Sequence, residues 1–153
     1  MINKTDFELK NLKYFEGTDG LYFSMTVYIK GKKAFTAQND GRGGDNFYTP
    51  CDLVHGKALL AEAHEFVKTL PPYVLEDWDI SGDYDLDILL EEMMEEKLEN
   101  AELKRKCKGK TLYHLPEDGK GQYWEIRKPY SEGIKMFIMG KYPNAEIINE
   151  RFI

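Results

Sequence analysis

The sequence holds 2 cysteines and 3 histidines among 153 residues. Two thiols, Cys51 and Cys107, are too few for a disulfide framework or a four-cysteine zinc site. Cys51, His55 and His64 are the one cysteine–histidine cluster, but His64 lies nine residues beyond His55, toward the other side of a helix, and no fourth ligand stands near, so no metal site is expected. No apolar run approaches the roughly 18 residues of a membrane span. The opening MINKTDFELK lacks the apolar stretch of a secretory signal, so a soluble, cytoplasmic protein with no membrane partner is expected. No internal repeat, low-complexity tract or linker interrupts the chain, and the length suits a single domain over 1–153.

Hydrophobic residues make up 42% and aromatic residues 13% of the chain, enough to close a core. The net charge of -6 is unevenly spread. Residues 1–56 balance, residues 57–102 carry a net -11 and residues 103–153 a net +5. A strongly basic surface is the usual footprint of a general nucleic-acid binder, so this dipolar chain is not expected to be one, although the last third leaves room for a local basic patch.

FELKNLKYFE and LYFSMTVYIKG, separated by Gly17-Thr18-Asp19-Gly20, read as an antiparallel hairpin. Phe23, Met25, Val27 and Ile29 alternate with Tyr22, Ser24, Thr26 and Tyr28, so the first set is expected in the core. KKAFTAQN predicts a third strand. Thr49-Pro50-Cys51-Asp52 has the form of a helix start, and Leu59, Ala63, Phe66 and Leu70 then share a face until Pro71-Pro72. LEDWDISGDYD reads as a connector. A second helix is predicted from Leu86 to Cys107 with Leu90, Met94, Leu98 and Ala101 buried. TLYHL and QYWEIRK flank a loop as a second hairpin, with Trp124 and Ile126 turned inward. Ser131 caps a short helix carrying Ile134, Phe137, Ile138 and Tyr142 on one face, and AEIINERFI returns as an edge strand. Segregated strands and helices predict an α+β fold: an antiparallel sheet from the N-terminal hairpin or three-stranded meander and the C-terminal hairpin, with two longer helices and one short helix packed on it.

Three segments carry candidate chemistry. In the loop NDGRGGDNFY, glycines let a backbone approach a ligand, Arg42 supplies a donor fork, and Asn39, Asp40, Asp45, Asn46 and Tyr48 offer polar groups for a partner or a phosphate. The glycine spacing is not that of a P-loop, and a long turn that needs glycine has the same composition. The acidic stretch from Glu76 to Glu102 includes Glu91, Glu92, Glu95 and Glu96 against Lys97 alone. Such a face can occupy a basic channel in place of nucleic acid, and it also suits a solvated helix led by acids and closed by bases. Lys104, Arg105, Lys108 and Lys110, followed by Tyr123 and Arg127, combine cations with aromatics as single-strand binders do. Asp83, Asp85 and Asp87 start like a calcium loop, but Ile88 and Met94 stand where its glycine and glutamate belong. No serine, cysteine or histidine forms a nucleophile pattern, so neither a catalytic residue nor a cofactor is assigned.

The NDGRGGDNFY loop, the acidic helix and the KGKTLYHL and YWEIRKPYS hairpin together resemble small accessory proteins of bacterial phages and mobile elements. The resemblance covers much of the chain and implies a bacterial cytoplasm. It also implies a partner, a host protein such as a nuclease or other defence factor that the protein binds and inhibits. A non-enzymatic inhibitor acting through the loop and the acidic helix is therefore the first expectation. A nucleotide or second-messenger binder using the loop is the second, an RNA or DNA binder using the basic hairpin the third, and a hydrolase the last.

Overall fold

Alternation in residues 21–29 is realised as the second strand of a four-stranded antiparallel sheet. The computed structural model describes residues 2–75 and 80–153. Strands β1 (Phe7–Glu16), β2 (Leu21–Ile29), β3 (Lys32–Asp40) and β4 (Phe47–Pro50) lie side by side in chain order. Phe23, Met25, Val27 and Ile29 are buried as the alternation requires, whereas Thr26, expected on the other face, is buried as well. Leu9 and Phe35 both pair with Val27, and Ala37 pairs with Met25, so all three join the same apolar face. Three positive-φ residues shape the β1 bulge and the β2–β3 turn. Lys30 and Gly31, at φ 51° and 78°, make the two-residue turn between β2 and β3, while Asn11, at φ 55°, sits where the β1 register shifts in a bulge.

Helix α1 (His55–Val67) starts later than the sequence predicts. Thr49 and Pro50 belong to β4, paired with Thr36 and Phe35. The cap is Asp52, whose carboxylate oxygen accepts from the Val54, His55 and Gly56 amides at 2.9, 2.6 and 3.1 Å. A carboxylate that satisfies three orphan amides outcompetes a hydroxyl placed three residues earlier. Those amides, led by that of Gly56, hold the Asp52 carboxyl below its ordinary range. Gly56 is dictated by space: a Cβ there would lie 2.6 Å from the Ala34 carbonyl oxygen. Ala63 and Val67 are buried, with Leu59, Phe66 and Leu70 half-buried, and Phe66 meets Phe7 at 5.9 Å between ring centroids.

The predicted connector holds a short antiparallel hairpin, β5 (Tyr73–Leu75) and β6 (Ile80–Gly82). Glu76, Asp77 and Asp79 of the acidic stretch lie outside the described residues. Asp85 caps helix α2 (Leu86–Lys106), accepting from the Ile88 amide at 2.9 Å.

The chain divides into two compact units, Met1–Met94 and Glu95–Ile153, and α2 contributes to each. In the first, Leu86, Leu89, Leu90 and Met94 are buried. In the second, Leu98 is half-buried and Ala101 is exposed, contrary to the predicted stripe; Leu103 is the buried position instead. Leucine contributes more apolar surface than alanine, so the helix turns that side chain toward the core of its unit.

That core joins Leu103 to Leu112 and Ile148, with Cys107, Tyr123 and Phe152 packed around them. Strands β7 (Thr111–His114), β8 (Trp124–Ile126) and β9 (Glu146–Ile147) form a separate antiparallel sheet in the order β8-β7-β9. Helix α3 (Glu132–Lys141) is capped by Ser131, as predicted. Of its predicted face Ile138 is buried and Ile134 and Tyr142 half-buried, whereas Phe137 is exposed. The predicted last strand is two residues long and passes into a 3₁₀ turn over Ile148–Phe152. Asn149 is the polar centre of this unit: its carbonyl accepts from the Leu112 amide at 2.8 Å and its amide donates to the Lys110 carbonyl at 2.8 Å. The class is α+β with antiparallel sheets.

Candidate functional site

The glycine-rich loop leaves β3 at Asp40 and enters β4 at Phe47, and its polar residues divide into two sets. Asn39 braces the loop from within, donating to the Gly44 carbonyl at 2.9 Å and to the Asn46 side chain at 3.0 Å while accepting from the Gly41 amide at 2.9 Å. The Asn46 backbone amide donates to Asp87 on α2 at 3.3 Å, and the Tyr48 hydroxyl donates to the other oxygen of the same carboxylate. Burial, and then that bond to Asp87, push the Tyr48 hydroxyl well above the ordinary tyrosine range. Tyr48 also meets the edge of His64 at 5.7 Å. Asn39, Asn46 and Tyr48 therefore build the site's frame.

Asp40, Arg42 and Asp45 face outward. Asp40 accepts from the Arg42 backbone amide at 3.1 Å, and among the described residues the Arg42 guanidinium and the Asp45 carboxylate have no hydrogen-bond or ion-pair partner. Glycine is required at Gly41, where φ is 76° and a Cβ would lie 3.2 Å from the Tyr22 amide nitrogen, and Gly43 has φ 80°. Gly44 has neither constraint. Backbone meets backbone at this end of the sheet, because Gly17 and Gly20 of the β1–β2 turn stand close to the Gly41 carbonyl.

Loop and helix meet around a cavity of about 210 Å³ lined by Leu21, Phe23, Asn39, Gly44, Asn46, Asp87, Glu91 and Met94. Its lining combines Leu21, Phe23 and Met94 with carboxylates and carboxamide groups. Asp87, absent from the candidate residues read from the sequence, is the group that ties loop to helix; its partners lie 39 and 41 residues away, beyond the reach of any local pattern. The chemistry on offer is acceptance of hydrogen bonds from a cationic or amide-bearing group.

The acidic residues of α2 differ in their engagement. Glu92 is taken up by the Tyr84 hydroxyl and by Lys4 at 3.8 Å. Glu91, Glu95 and Glu96 are exposed, and Glu95 and Glu96 have no hydrogen bond or ion pair among the described residues. No group of three or more His, Cys, Asp or Glu side chains comes together as metal ligands among the described residues.

In the second unit the basic residues separate as well. Arg105 pairs with Glu102 at 2.5 Å and Lys110 with Glu125 at 2.9 Å. Tyr123 turns inward onto the Leu103 cluster and its hydroxyl donates to Glu99 at 3.0 Å, while Trp124 is 53% exposed with its indole N–H donated to Asp118 at 2.9 Å. The predicted facing of these two aromatics is thus reversed. Trp124 pairs with Tyr113 across the β7–β8 ladder, and the indole finds its polar partner at the rim of the hairpin. Lys104, Lys108 and Arg127 are exposed without a hydrogen bond or ion pair among the described residues. Comparison with protein-family models, with curated proteins and with solved structures gives no match.

Proposed function

We propose that the protein is a non-enzymatic binding protein of phage or mobile-element origin that occupies a basic site on a bacterial host factor, a nuclease or other defence protein, and thereby inhibits it. The proposal rests on the junction of the glycine-rich loop with the first turns of α2, where the 210 Å³ cavity presents Asp87 and Glu91 beside the outward-facing Asp40, Arg42 and Asp45. A basic side chain of the partner would find the exposed carboxylates of Asp40 and Asp45 beside the cavity. Exposed Glu95 and Glu96 on the same helix extend the negative potential that steers a basic partner to it. Phosphate fits the loop less well, because the Gly41 and Arg42 amides already donate to Asn39 and Asp40 and the cavity lining carries carboxylates.

The test is capture from phage-infected bacteria with the wild type and with two variants, Arg42→Ala and Glu91→Gln/Glu95→Gln/Glu96→Gln. One host protein should be recovered by the wild type and lost by both variants, and the purified pair should dissociate as salt is raised. The same proteins recovered by all three baits, or a salt-insensitive complex, would exclude this surface.

A further inference from the structure

Two lysines at the end of α2 remain unaccounted for by the ion pairs of that helix. Four cations, Lys104, Arg105, Lys106 and Lys108, surround its C-terminus, where the macrodipole amounts to about half a negative charge. Arg105 and Lys106 are held by Glu102, at 2.5 and 3.9 Å. Lys104 and Lys108 have no such partner among the described residues, and their two full charges exceed what the helix end calls for. Both line a groove of about 350 Å³ with Cys107, Pro129, Tyr130 and Phe152. The Asn149 side-chain amide, also in its lining, is fully used by Leu112, Lys110 and Cys107 backbone groups, so the groove combines two cations with an apolar, aromatic lining.

From this arrangement we infer that the groove binds a nucleoside phosphate unit, its phosphate on Lys104 and Lys108 and its base against Tyr130, Pro129 and Phe152. A phosphate alone would find no donors but the two ammonium groups, and an apolar ligand would leave both lysines unmatched. A flat heterocycle carrying an anion satisfies the aromatic lining and the cations together. The volume reaches the lower end of the roughly 300 to 1,000 Å³ of small-molecule sites, which admits one nucleotide. The unit is either a free nucleotide or one residue of a single strand. This site is independent of the loop and of its proposed protein partner.

Cys107 is a free, half-buried thiol in the groove, and Cys51, the other free thiol, lies in the first unit, so each chain carries a reporter and an internal control. The experiment follows maleimide labelling of both thiols with AMP, adenosine, inorganic phosphate or a pentaadenylate strand present. AMP or the strand should slow labelling of Cys107 and not of Cys51, with adenosine and phosphate each far weaker. Lys104→Ala/Lys108→Ala should weaken that protection by at least about tenfold at an unchanged melting temperature, and Lys104→Arg/Lys108→Arg should retain it. Protection by AMP and the strand at equal concentration identifies a free nucleotide; protection by the strand at much lower concentration identifies a strand. No protection by either, equal protection by phosphate alone, or full protection in the double alanine variant would overturn the assignment.

Discussion

The Tyr48 hydroxyl on β4 donates to the Asp87 carboxylate in the first turn of α2, whose other oxygen accepts from the Asn46 backbone amide. Removing the hydroxyl leaves a partly buried carboxylate with one donor fewer. Tyr48→Phe should cost about 1.5 to 3 kcal/mol in chemical denaturation. In a double-mutant cycle with Asp87→Asn the two changes should be far from additive. Additive costs would show that the two groups act separately.

Burial of the hydroxyl, with the same bond, sets a pH dependence. Tyr48 is held above the ordinary tyrosine range in the folded state, whereas in the unfolded chain it titrates near about 10. Its contribution is whole below that pH and is lost as pH rises past it, because the unfolded chain then releases a proton that the folded one retains. Tyr48→Phe should flatten the loss of stability in alkaline solution relative to the wild type.

Asp52 has the opposite sign. Its carboxyl is held low by three backbone amides, so its contribution is present above the ordinary carboxylate range and disappears as pH falls through it. Asp52→Ala should lower the melting temperature at neutral pH and converge with the wild type in acid, whereas Thr49→Ala should have little effect on α1.

The loop glycines separate structure from recognition. Gly41→Val should destabilise by roughly 1 to 3 kcal/mol through strained φ and contact with the Tyr22 backbone, while Gly44→Val should be tolerated. Arg42→Ala should leave the melting temperature unchanged, since its exposed side chain makes no hydrogen bond or ion pair among the described residues, and should still abolish partner binding.

Met94 is 2% exposed. Met94→Asp would bury an unpaired charge and should cost roughly 3 kcal/mol or more in denaturation. A silent variant would contradict the burial of this face of α2.

Period-two alternation made β2 and its neighbours legible in the sequence, because a sheet with one buried face has no other register. The apolar steps of α1 were legible because Leu59, Ala63, Phe66 and Leu70 recur at the three- and four-residue spacing of one helical face. Its start was not, since Thr49 and Asp52 both have capping chemistry and only the pairing of Thr49 with Thr36 decides between them. The Tyr123 and Trp124 facing was misread because β8 has only three residues, too few for alternation to override a long-range partner such as Glu99. At the candidate site the loop residues were legible as a polar, glycine-permitted segment. Their division into bracing and outward sets depends on Asp87, which looked like one acid among many.

Asn149 imposes an order on synthesis. The groups it satisfies, the Leu112 amide and the Lys110 and Cys107 carbonyls, precede it by 37 to 42 residues. A chain emerging from the ribosome therefore presents the end of α2 and the whole of β7 before their polar centre exists. Until Ile148 and Asn149 arrive together, Leu103 and Leu112 lack the third member of their cluster, and Leu112 offers an open strand edge to whatever is nearby. Asn149→Ala should cost roughly 2 to 4 kcal/mol at equilibrium. Its larger consequence should be seen during translation, as aggregation of the newly made protein at temperatures where the purified variant is still folded.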